Sequence, residues 1–112
     1  MLSAKEDHIA PWTSAYKTTQ LLPGNVRFTL SSSGHIAGIV NPPSPKAVHW
    51  TNPTIAADAK AWLAGATEHK GSWWEDWTEW IDDRAGARRT PPPMGGTAHP
   101  PVGDAPGKYV LG

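Results

Sequence analysis

The sequence contains no cysteine. That excludes a disulfide framework, a thiolate metal site and a cysteine nucleophile supplied from within these 112 residues. An excess of one charge is missing too, because ten Lys and Arg balance ten Asp and Glu. Without a basic stripe in either half, binding to nucleic acid through phosphate neutralisation is not expected. Long apolar runs are also absent. The opening residues MLSAKEDHIA hold no signal-peptide core, and no stretch approaches the roughly 20 apolar residues that span a bilayer. A soluble, intracellular protein of one small domain at most is therefore the expectation.

What is present is unevenly spread. Seven Trp cluster, while twelve Pro and eleven Gly concentrate towards the end. Met1–Lys5 reads as a strand, with Asp7 just past its end. Pro11 suits the first turn of a short helix over about 11–20, where its missing N–H costs nothing, and the Leu21–Gly24 turn closes that helix. Val26, Phe28 and Leu30 alternate with Arg27 and Thr29, which predicts a strand running into SSSGHIAG, Ser31–Gly38. Strand, helix and strand form a βαβ unit with parallel strands, and hence an α/β class.

Pro42, Pro43, Pro45 and Pro53 argue against regular structure across Asn41–Pro53. Ala59, Trp62, Leu63 and Ala66 recur at helical spacing and predict a helix over about 57–69, with His69 and Lys70 at its negative end and Gly71 as its C′ residue. Ser72 with Glu75 forms a capping-box pattern for a third helix fading at Arg84–Gly86, with Trp73, Trp77 and Trp80 on one face. From Thr90 the chain is rich in Pro and Gly with little to bury, so residues 90–112 are expected to form an extended or disordered tail after a folded 1–89.

The residues that carry chemistry are Asp7 and His35. Each follows a strand of the βαβ unit, and the C-terminal ends of parallel strands face a common crevice where ligands bind. Asp and then His after successive strands is the order of the last two triad members in α/β-hydrolases. An imidazole takes the nucleophile's proton, and a carboxylate sets its tautomer and stabilises the imidazolium. Spacing alone leaves the plainer readings open, since Asp after a strand often caps a helix and a single His is often structural.

Several longer stretches bear on this choice. DHIAPW (Asp7–Trp12), SSSGHIAGIVNPP (Ser31–Pro43), WLAGATEH (Trp62–His69), GSWWEDWTEW (Gly71–Trp80) and APGKYV (Ala105–Val110) resemble, in collinear order, the C-terminal part of class I polyhydroxyalkanoate synthases. The resemblance implies an α/β-hydrolase fold of which residues 1–89 form the C-terminal portion. It implies an enzyme that polymerises 3-hydroxyacyl groups from their CoA thioesters and releases CoA, with CoA thioester as substrate and no cofactor. His35 would match the base that activates a cysteine, and Asp7 the aspartate that helps the incoming hydroxyl attack. The cysteine elbow has no counterpart here, so the chain is expected to be a fragment, inactive alone, whose partners are the missing N-terminal part and the growing polyester. The same resemblance implies a cytoplasmic, granule-associated enzyme.

Plainer readings accompany the remaining features. His8, beside Asp7, is read as a local packing or hydrogen-bonding residue, with pocket lining as the alternative. The Trp set is read as core or interface rather than a ligand platform. Scattered histidines without an H-x-x-x-H pair do not argue for metal. An unpaired strand edge and an apolar face predict self-association. Two alternatives to the synthase stand beside it: a small Trp-rich binding protein without catalysis, and a remnant of another α/β-hydrolase.

Overall fold

The computed structural model describes residues 1–112, in which four short strands form one sheet. In spatial order they are β1 (Leu2–Ala4), β2 (Thr29–Ser31), β3 (Val48–Thr51) and β4 (Thr67–Lys70). β1 and β2 run parallel, with Leu2 beside Thr29 and Ala4 beside Ser31. The chain crosses between them through α1 (Trp12–Tyr16) and a 3-10 turn over Lys17–Gln20. The expected parallel βαβ unit is therefore present, though its second strand is shorter and shifted from Val26–Leu30. Pro11 stands just outside α1 rather than in its first turn, and its carbonyl accepts the N–H groups of Ser14 and Ala15 at 2.9 and 3.2 Å.

The rest of the sheet corrects two expectations. The proline-rich stretch Asn41–Pro53 contains β3, which pairs antiparallel with β2. Pro45 and Pro53 bracket these four residues without interrupting them, so no ladder N–H is lost. The helix expected over 57–69 ends early: α2 covers only Ala59–Ala64, and the chain then returns as β4, antiparallel to β3. Gly71, at φ 108°, is not a helix terminus but turns the chain from β4 into the next helix, a backbone region that favours glycine. The sheet is thus mixed rather than a lone parallel pair.

Strand alternation sends Leu30 and its register partner Trp50 to one face and Thr29 to the other. On the first face α1 and α2 build the core from Tyr16, Phe28, Leu30, Ala59 and Trp62, with Trp12 and Trp50 packed against it. The rings of Tyr16 and Trp62 both meet Phe28 edge to face, at centroid distances of 5.0 and 4.9 Å. Such pairs add to the burial of apolar area that drives the collapse. The apolar face foreseen for α2 is the one that packs, although the helix is shorter.

The opposite face carries α3 (Trp73–Ala85), where Asp76 accepts hydrogen bonds from Arg27 and Thr29. Ser72 is its N-cap, accepting the Trp74 N–H at 3.0 Å. Helices thus cover parts of both sheet faces, while β1 remains an edge strand. Residues 86–112 are exposed throughout, with a bridge between Gly96 and His99 and a 3-10 turn at Tyr109–Leu111. No helix is long and apolar enough to cross a membrane.

Candidate active site

The loops after β1 and β2 lie side by side because their backbones bond to each other. The Lys5 N–H reaches the Ser31 carbonyl at 2.8 Å, and the Glu6 N–H reaches the Ser33 carbonyl at 3.0 Å. Ser33 adopts φ 71°, a costly conformation for a residue with a side chain. The preceding Ser32 bonds the other way, its N–H to the Val48 carbonyl at 2.9 Å and its Oγ from the Val48 N–H at 3.2 Å. The serine run thus ties the His35 loop to β1 on one side and to β3 on the other.

Within this frame the Asp7 carboxylate meets the His35 ring, Oδ2 to Nδ1, at 2.8 Å. The other carboxylate oxygen, Oδ1, accepts the N–H groups of Ile9 and Ala10, each at 2.9 Å. Asp7 therefore turns its own loop, in the manner of an Asx turn, and also holds the imidazole. Its side chain is nearly enclosed, at 7% exposure, whereas that of His35 is open at 46%. The Ala10 N–H lowers the Asp7 pKa, followed by the His35 hydrogen bond, while desolvation opposes both. An ionised carboxylate accepts only, so Nδ1 carries the proton donated to it. Nε2 then presents its lone pair, with no protein partner, at the exposed side of the ring.

His8 follows directly but is exposed and makes no side-chain hydrogen bond, and neither of the two main clefts is lined by it. His49 and His69 lie elsewhere. They stack on each other with centroids 5.0 Å apart; His49 bonds the Gly71 carbonyl and His69 the Thr51 hydroxyl. A cleft of about 760 Å³ also lies away from Asp7 and His35, between Met1, Leu2, Val26 and the exposed indoles of Trp77 and Trp80.

Residues that the sequence did not place in the site also hold it. Gly38 packs against Ala4, and Asn41 Nδ2 donates to the Ala37 carbonyl at 2.9 Å. Ser72 Oγ donates to the Asn41 carbonyl, and the indoles of Trp73 and Trp74 donate to that of Ile39. For Ser72, Trp73 and Trp74 the visible signal was the GSWW run, whose residues spell a helix start and an apolar face.

Taken together, the pair can accept a proton at Nε2 and return it, with Asp7 stabilising the imidazolium. The chain has no cysteine to be activated.

No family model matches the sequence. The poly(3-hydroxyalkanoate) polymerase subunit PhaC of Cupriavidus necator is 51% identical over 109 residues, which is 96% of this chain but 18% of that protein. Poly(3-hydroxyalkanoate) polymerase 2 of Ectopseudomonas oleovorans is 46% identical over 112 residues, 98% of this chain and 20% of its own length. The poly(3-hydroxyalkanoate) polymerase of Methylorubrum extorquens is 43% identical over 112 residues, 97% and 18% respectively. The chain thus spans about a fifth of the length of the curated relatives it matches. It is a homologue of the C-terminal part of the poly(3-hydroxyalkanoate) polymerases.

Proposed function

We propose that this chain supplies the acid–base pair of a poly(3-hydroxyalkanoate) polymerase of α/β-hydrolase type, an acyltransferase that joins 3-hydroxyacyl units from their CoA thioesters. The observation that carries the reading is the 2.8 Å contact between Asp7 Oδ2 and His35 Nδ1, which leaves Nε2 exposed and unbonded. The nucleophile is a cysteine thiol from the portion of the polymerase that these residues do not cover. Residues 1–89 form the last part of the catalytic domain, and residues 90–112 a tail. Such an enzyme works in the cytoplasm, at the surface of polyester granules.

In the first step, His35 Nε2 takes the thiol proton and the thiolate attacks the acyl carbon of the CoA thioester. The bond from that carbon to the CoA sulfur breaks, and the imidazolium returns its proton to the departing CoA thiolate. Thioester is exchanged for thioester, so the acyl group stays activated. In the second step, the hydroxyl of another 3-hydroxyacyl unit attacks the acyl-enzyme, with Asp7 and His35 assisting its deprotonation. An ester bond forms, and the cysteine leaves as the thiol.

The test is single-turnover kinetics in a full-length polymerase that carries this segment. His35→Ala abolishes acyl-enzyme formation and the matching release of CoA. Asp7→Asn keeps part of the acylation but impairs elongation. Normal acyl-enzyme formation in His35→Ala would remove His35 from the role of base. The chain by itself, without a nucleophile, should release CoA from 3-hydroxybutyryl-CoA no faster than buffer.

A further inference from the structure

The turn that carries His35 is fastened to the start of α3 by groups that take no part in proton transfer. Within the turn, the Gly38 N–H bonds the Gly34 carbonyl at 2.8 Å, while those of Ile39 and Val40 bond the Ile36 carbonyl at 3.0 and 2.8 Å. The Ile39 carbonyl at the far end accepts the indole N–H groups of both Trp73 and Trp74, each at 3.1 Å. A carbonyl oxygen has two lone pairs, so both donors are satisfied together. The two indoles also brace each other edge to face, with centroids 6.4 Å apart. Trp77, on the same helix, faces the large cleft and donates no hydrogen bond.

We propose that Trp73 and Trp74 are positioning residues: by sharing the Ile39 carbonyl, they hold the Gly34–Val40 turn where His35 stays within reach of Asp7. The proposal rests on the reading of His35 as the base. Neither indole touches a reacting atom, and both act through the turn. Two donors on one acceptor make the fastening redundant. Losing one N–H raises opening of the turn about fivefold, as for one net hydrogen bond. That is too little to empty a closed state held by the second donor. Losing both compounds the two effects.

The experiment uses a full-length polymerase carrying this segment, in five variants: Trp73→Phe, Trp74→Phe, the double substitution, Trp77→Phe and His35→Ala. Phenylalanine keeps an aromatic ring while removing the donor with part of the indole. Acylation should fall about twofold in each single Trp73 or Trp74 variant and about sevenfold in the double variant, with KM for the thioester unchanged. Amide exchange across residues 34–40 should rise in both singles and further in the double, and stay at the parent rate in Trp77→Phe. A double variant that acylates and exchanges like the parent, while His35→Ala is inactive, would overturn the positioning role and leave the proposed function standing. Normal acylation in His35→Ala would remove the base assignment and this proposal with it. If the double variant does not fold, the singles decide: exchange across 34–40 no faster than in Trp77→Phe overturns the proposal.

Discussion

Gly38 lies so close to Ala4 that a Cβ on the glycine would sit 2.3 Å from the alanine Cβ, and within 2.8 and 2.9 Å of the Gly34 and Ser32 carbonyl oxygens. Two of these three neighbours are backbone, so nothing flexible can give way. The His35 turn rests on β1 through this contact. Gly38→Ala should therefore lift the turn from the sheet, at a cost of about 1–3 kcal/mol for overpacking. Thermal unfolding of the variant checks the stability, and acylation in a polymerase carrying it checks the separation of His35 from Asp7. An unchanged melting temperature would contradict the close fit.

Asp7 also predicts a dependence on pH. A carboxyl group whose pKa is lower in the folded than in the unfolded state stabilises the fold above its unfolded pKa. That contribution is lost as pH falls through the folded value. For Asp7 the Ala10 N–H and the His35 ring set the downward direction from 3.8. The loop over Asp7–Ala10 should thus hold its form at pH 3.8 and lose it only at lower pH. A titration followed at the Asp7 carboxyl carbon would contradict this with a midpoint at or above that value.

Trp62 is fully buried against Phe28 and Tyr16, yet its indole N–H has no hydrogen-bond partner. Trp62→Ala should cost about 3–5 kcal/mol, a large share of a small fold's stability. Trp62→Phe should cost clearly less, because it keeps an aromatic ring and removes a buried donor that is desolvated without compensation. Denaturant unfolding of both variants compares them. Equal losses would show that the bare N–H carries no penalty.

The indoles of Trp77 and Trp80 are 51% and 39% exposed beside the apolar Met1, Leu2 and Val26, next to the unpaired edge of β1. Purified alone, the chain should self-associate through this cleft. Charging it with Trp77→Glu and Trp80→Glu should shift sedimentation towards monomer without disturbing the Asp7–His35 side. A parent chain that sediments as monomer at all concentrations would rule the association out.

Much of the site was legible from the residues because its signals are local. Asp7 just past a strand, a β-type alternation ending in serines, and Ser72 ahead of a helix each act over a few positions. β4 carried no such signal. Thr67, Glu68, His69 and Lys70 show no apolar alternation, and they pair as an edge strand whose charged residues face solvent. β3 was hidden by prolines that flank it. In both cases backbone pairing with a neighbouring strand outweighed the local pattern.

The sequence by itself determined the start of α3 at Ser72, the parallel βαβ unit and the apolar face of α2. Each follows from spacing, capping or alternation within a short window. Only the tertiary structure decided that the sheet is mixed and that Asp7 Oδ2 lies 2.8 Å from His35 Nδ1 across 28 positions of chain. It likewise decided that indoles more than thirty residues away would hold the Ile39 carbonyl. Such contacts depend on how β1 and β2 register and on where α3 crosses the sheet. These are properties of the packed whole, which no short window of residues contains.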